Sequence, residues 1–206
     1  MKKVFILGVV LATALGVVTS CNEVKKAVTE VDYQVLSKPD EVKKWLDEIK
    51  AKAGENAKVM DEVKIYIDRP AVEGFVKKEG KKDEMHIVIV YQDPADKRRV
   101  EQIDYSSKYG WDRPEKKEIQ VMGIGAENFK LEDQLFDFDQ VSYQTINKVI
   151  QDAQAKHKDE AKYEYQYVRD VTITIEGIEV MIHGKLKANG VEKSEKYKAN
   201  LQGNAL

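Results

Sequence analysis

The sequence predicts an α+β protein of two tandem units, each one helix followed by antiparallel strands, behind an N-terminal export segment. Three observations carry this. Apolar residues recur with helical spacing around Val42 and again around Val149. After each such stretch the period changes to two, first at Val63, Ile65 and Ile67 and later from Tyr163 onward. Turn signals, among them Arg69-Pro70, Asp93-Pro94 and Asn189-Gly190, then break the chain into short hairpin-connected strands.

Residues 21–36 read as a tether. Ser37-Lys38-Pro39-Asp40-Glu41 looks like a helix start, with a Ser cap, an early Pro and acids in the first turn. Val42, Trp45, Leu46 and Ile49 share one face to about Ala53, and Gly54 ends the helix. Val63 to Ile67 is a half-buried strand, and a weaker one is expected over Val72 to Val76. Met85 to Tyr91 is apolar on both faces, as the central strand of this unit would be. Val100 to Tyr105 returns, Tyr109 to Pro114 is an aromatic-bearing loop, and Glu118 to Ile124 closes the first unit, 37–125.

The second unit, 126–206, begins with a polar bridge to Asp137. Asp139 is expected to cap a helix from Gln140 to His157, with Val141, Thr145, Val149, Ile150 and Ala153 inward. Tyr163, Tyr165, Tyr167, Arg169, Val171, Ile173 and Ile175 share one parity, which puts them on one face of a long strand. Gly177 turns it, Ile178 to Lys187 comes back, and Val191 to Leu201 is the last strand. Pattern leaves open whether the units share one sheet or form two.

The first twenty-one residues have a different character. Lys2 and Lys3 precede an apolar run from Val4 to Val18, small residues follow, and then comes Cys21, the only cysteine of 206 residues. Val18-Thr19-Ser20-Cys21 resembles the lipobox of bacterial lipoproteins, with Val18 where Leu is commonest. The resemblance implies that Cys21 takes a diacylglyceryl group, that cleavage falls after Ser20, and that the new amino terminus is acylated. A permanent span would need ~20 apolar residues, more than this run has. Asn22 in place of Asp, and the single acid Glu23, imply the periplasmic face of the outer membrane, with the cell surface as the alternative. The element order is similar, in topology alone, to the α-β-β-β modules of PepSY-type domains and proteinaceous β-lactamase inhibitors. No motif residue of either family is matched.

Composition narrows the function classes. Without residues 1–20 the chain holds 32 basic against 36 acidic residues, a net charge of −4. That balance disfavours a nucleic-acid partner and attraction to anionic lipid, leaving the anchor to hold the membrane. With Cys21 consumed by lipid, neither a disulfide nor a thiolate-ligated metal site is expected. His86, His157 and His183 lack the spacing of a ligand motif, and His157 suits the C-terminal turn of a helix. The acids Glu132, Asp133, Asp137 and Asp139 do not fall in a calcium-loop register. No serine sits in a nucleophile motif.

The expectation is therefore a non-enzymatic module without cofactor or metal. It would bind a protein or peptide of the cell envelope, with an envelope hydrolase or metal-assisted enzyme as the alternative. Tyr163, Tyr165 and Tyr167, with Tyr109 and Trp111, are the candidate contact residues, since aromatic side chains with one wet end are enriched at interfaces. The competing expectation is that the three tyrosines continue the core, with hydroxyls at its rim.

Overall fold

The structure, a computed structural model, describes residues 31–74, 76–119 and 128–206. The segment expected to direct export, Cys21, most of the expected tether and all but Glu118 and Ile119 of the strand expected over Glu118 to Ile124 lie outside the described residues.

Two helices, α1 (Pro39–Ala53) and α2 (Tyr143–His157), cover one face of an antiparallel sheet. Its strands are β1 (Lys58–Asp68), β2 (Glu84–Gln92), β3 (Val100–Ser106), β4 (Gly110–Trp111), β5 (Glu115–Lys117), β6 (Leu135–Asp137), β7 (Tyr163–Thr174), β8 (Gly177–Leu186) and β9 (Glu192–Ala199). The spatial order is β4-β3-β2-β1-β7-β8-β9, with β5 added to β3 and β6 to β1. The protein is thus α+β and mostly sheet, and the first and second halves of the chain meet in one sheet where β1 pairs with β7.

Alternation decides which face is which. Val63, Ile65 and Ile67 of β1, Ile87 and Ile89 of β2, Val171 and Ile173 of β7, and Val180 and Ile182 of β8 are all buried beneath the helices. From above, α1 supplies Val42, Trp45, Leu46 and Ile49, and α2 supplies Ile146, Val149, Ile150 and Ala153. Each such side chain contributes about 1.5–3 kcal/mol on burial, so this two-layer core supplies most of the stabilising free energy.

Several expectations are corrected in detail. Pro39 opens α1 behind Lys38, with no side-chain cap, because Ser37 belongs to a preceding 3-10 turn whose Val35 and Leu36 are buried. The C-terminal end of the tether is therefore core. The cap of α2 is Ser142, whose hydroxyl accepts from Thr145 N–H at 3.1 Å, while Asp139 pairs with Lys50 at 2.7 Å. Residues 72–76 form no strand among the described residues, and 69–83 is a long connection. Within the first half β2 is the central strand, as expected, lying between β1 and β3, while β1 and β7 pair across the two halves. Near its start β1 changes partner: Lys58 to Met60 pair with β6 and Glu62 to Tyr66 with β7, with Asp61 at φ 61° between them.

The parity of β7 is also corrected. Its pairing with β8 slips twice, between Tyr163 and Tyr165 and between Val168 and Asp170. Each slip is a bulge, an extra residue that reverses the alternation beyond it. Tyr163 faces the helices opposite Leu186, whereas Tyr165 and Tyr167 point to the other face opposite Lys185 and His183. Val171 and Ile173 are back on the helix side.

Candidate binding face and its polar clasp

With both helices on one side, the other face of the sheet carries no helix among the described residues. Alternation places Val88, Val90 and His86 of β2, Lys64 and Tyr66 of β1, Thr172 of β7 and Met181 of β8 there, all half-buried. The Tyr66 and His86 rings stack across the β1–β2 pair, centroids 4.9 Å apart and planes 19° from parallel. Glu62, Glu84 and Asp104 make the β1–β3 half acidic. Across the sheet, Glu179 is held by Lys196 at 2.6 Å and Lys198 at 3.2 Å. Asp170 lies on this face between Tyr66 and Met181, and burial raises its carboxyl pKa against the pull of Lys64.

One corner of this face is closed by the connection 69–83, which leaves β1 and reaches across to β7 and β8. Its Glu73 accepts a hydrogen bond from the Tyr167 hydroxyl at 2.7 Å and lies 3.6 Å from His183 Nε2. The Arg69 guanidinium sits 3.9 Å over the Tyr33 ring, about 5 Å from Tyr165 and Tyr167, and donates to Asp83 at 3.0 Å. Glu192 at the start of β9 receives Lys77 and, at 3.2 Å, the Gly74 N–H. His183 Nδ1 pairs with Ser194 Oγ at 2.8 Å. Among the described residues, three buried polar atoms here find no hydrogen-bond partner, Arg69 Nη1, Tyr165 Oη and His183 Nε2.

Desolvation sets the proton states. Burial raises the Glu73 carboxyl and lowers His183 to about 4, with Arg169 adding to the latter effect. Burial and then the nearby Glu73 charge push Tyr165 to about 12. Ser194, His183 and Glu73 include the members of a nucleophile relay. Yet an imidazole with so low a pKa is a weak base, and Glu73 makes no hydrogen bond to it at 3.6 Å. The contacts of Glu73 with Tyr167, and of Gly74 and Lys77 with Glu192, fasten the connection to the sheet.

Linkage gives this clasp a pH signature. Because His183 titrates near 4 folded and 6.5 unfolded, its contribution is complete above about pH 6.5 and is lost as pH falls toward 4. Glu73 runs the other way, its contribution complete below 4.5 and lost as pH rises through its elevated pKa. His183→Gln should therefore flatten the acid limb of stability between pH 6.5 and 4 by about 3 kcal/mol of unfolding free energy, measured by urea titration at each pH. Parallel curves for variant and wild type would place the acid loss elsewhere.

The five candidate aromatics do not assemble. Tyr109, 76% exposed, and Trp111 lie at the β3–β4 edge, with β3, β2 and β1 between them and β7. Trp111 packs on Tyr105, 5.1 Å between centroids, and donates from Nε1 to Glu48 of α1 at 3.1 Å. Tyr163 and Tyr167 are buried, at 5% and 1% exposure, and Tyr165 is half-buried. His86 and His183 are kept apart by β1 and β7. Reading the sequence missed Glu73, Arg69 and the Tyr66–His86 stack. Glu73 gives no periodic signal, but Tyr66 and His86 occupy outward positions of adjacent strands, which alternation with a known register would have paired.

Among the described residues no helix is long and apolar enough to cross a membrane. No family model, curated protein or solved structure matches the chain.

Proposed function

We propose that the chain is a lipid-anchored envelope protein, held by Cys21 at the periplasmic face of the outer membrane, that binds a protein or peptide partner on its helix-free sheet face. The alternative placement is the cell surface. In this reading residues 37–125 and 126–206 are two α-β-β-β units joined edge to edge, their strands running outward from the β1–β7 seam in mirrored order. The observation that carries the binding role is the open face itself. It offers Val88, Val90, Met181 and a stacked Tyr66–His86 pair where a sheet covered on only one side usually presents a more uniformly polar surface. Acids around Val88 favour a partner segment with apolar side chains flanked by Lys or Arg. Nucleic acid is not expected to bind so acidic a surface.

The test is a photo-crosslinking residue placed at Val88 or Met181, with Lys44 on the outer side of α1 as control, in intact cells. Stoichiometric adducts to one protein from positions 88 and 181 but not from 44 are expected. Adducts only from 44 would move the interface to the helices. The second reading, an envelope hydrolase, rests on the Ser194–His183–Glu73 contact. It gains ground only if a fluorophosphonate probe labels the protein and Ser194→Ala abolishes the label.

A further inference from the structure

Charge is polarised along the strands. Antiparallel pairing gathers five segments at one end of the sheet, 31–38, 69–83, 107–109, 158–162 and 187–191. Together they hold ten Lys or Arg residues against six Asp or Glu. The described turns at the opposite end, 54–57, 93–99, 138–142, 175–176 and 200–206, hold three against five. Net charge had argued against attraction to anionic lipid, but net charge averages over this asymmetry.

The basic end also carries exposed aliphatic side chains. Val76 is 77% exposed and Val191 52%, and the Lys77 and Gly74 contacts to Glu192 bring the 69–83 connection and the β8–β9 turn into one surface. Lys78, Lys81 and Lys82 beside them make no ion pair among the described residues. Lysines with long apolar stems around small aliphatic side chains suit the headgroup–acyl boundary, where stems and valines are buried and ammonium groups meet phosphate.

The chain enters the fold at this same end. Val31 packs on the core and Tyr33 lies under Arg69. Ten residue steps separate Cys21 from Val31. At about 3.5 Å per step they reach no more than ~35 Å. We infer that this end of the sheet, centred on Val76, Val191 and Lys78 to Lys82, rests on an anionic phospholipid surface and fixes the domain's orientation, with the helix-free face standing away from the membrane plane. The inference rests on the lipid-anchor reading.

The test uses the lipidated full chain in vesicles containing phosphatidylglycerol and a headgroup quencher. Cys21 being blocked by lipid, an environment-sensitive fluorophore goes on Val76→Cys or, as control, on Ile175→Cys at the opposite end, where the residue is 48% exposed. Quenching at 76 should exceed that at 175 at least threefold. It should fall to the control level in purely zwitterionic vesicles or in Lys78→Glu/Lys81→Glu/Lys82→Glu, with unchanged melting. Equal quenching at both positions, or quenching at 76 that ignores lipid charge, overturns the inference. So does fluorophore protection at 76 that persists in detergent, which would mean a protein partner or a second copy covers this end. Fatty-acid labelling of the same preparation is scored separately. A chain without label on Cys21 sinks the anchor reading, whereas a labelled chain unquenched at 76 sinks only the surface.

Discussion

Tyr167→Ala should lower unfolding free energy by about 4 kcal/mol, the range of large-to-small aromatic changes in a core. The ring is 1% exposed and is packed by Tyr33, Tyr165, His183 and the Arg69 guanidinium, and its hydroxyl is the donor to Glu73. Truncation opens a cavity under the clasp and leaves a buried carboxyl without its hydrogen bond. Tyr167→Phe separates the two effects. It keeps the ring and should cost about 1–3 kcal/mol, the desolvation penalty of an unsatisfied buried group. Urea unfolding of both variants checks this. A Phe variant as destabilised as the Ala variant would mean that the hydrogen bond carries the site, and a nearly neutral Ala variant would mean the clasp is open in solution.

Gly184→Ala should cost about 3 kcal/mol through overpacking. A Cβ built there would lie 2.5 Å from the Tyr165 carbonyl oxygen, 2.6 Å from Gln166 Cγ and 2.9 Å from Tyr163 Cδ1. The first of these is backbone and cannot rotate away. Gln166 is itself tied down, donating to the His157 carbonyl at the end of α2 and accepting from Asp159 N–H. The bulge at the start of β7 presses the strand onto β8, and a residue without a side chain makes room for it. Thermal unfolding should show a drop of several degrees; a variant melting within a degree of wild type would mean that the bulge yields freely.

Much of the element order was legible because one-sided burial writes a period into the sequence. Val42, Trp45, Leu46 and Ile49 announce α1, and Val63, Ile65 and Ile67 announce β1. The bulges of β7 were not legible, since an inserted residue such as Glu164 or Arg169 resembles any outward polar residue until its partner strand is known. That one omission carried Tyr163 onto the wrong side relative to Tyr165 and Tyr167. The clasp was hidden for another reason. Glu73, His183 and Tyr167 are brought together by a connection with no regular period, and contacts between such distant positions leave no local signal. The capping of α2 was misplaced by three residues because Asp139 and Ser142 are both good caps, and only the ion pair of Asp139 with Lys50 decides between them.

The seam between β1 and β7 has a kinetic consequence. Ile65 and Val171 face each other there although more than one hundred residues separate them in sequence. Pairing across so long a loop is among the last contacts to form, because its closure entropy is lost before any neighbouring contact compensates. A chain that emerges amino terminus first completes α1, β1, β2 and β3 while the inner edge of β1 still lacks its partner. During that interval the Glu62 to Tyr66 stretch offers free N–H and C=O groups beside Val63 and Ile65, a template that any passing strand can read. Refolding yield should accordingly depend on protein concentration, with two copies exchanging their second halves across the same seam as the natural misassembly.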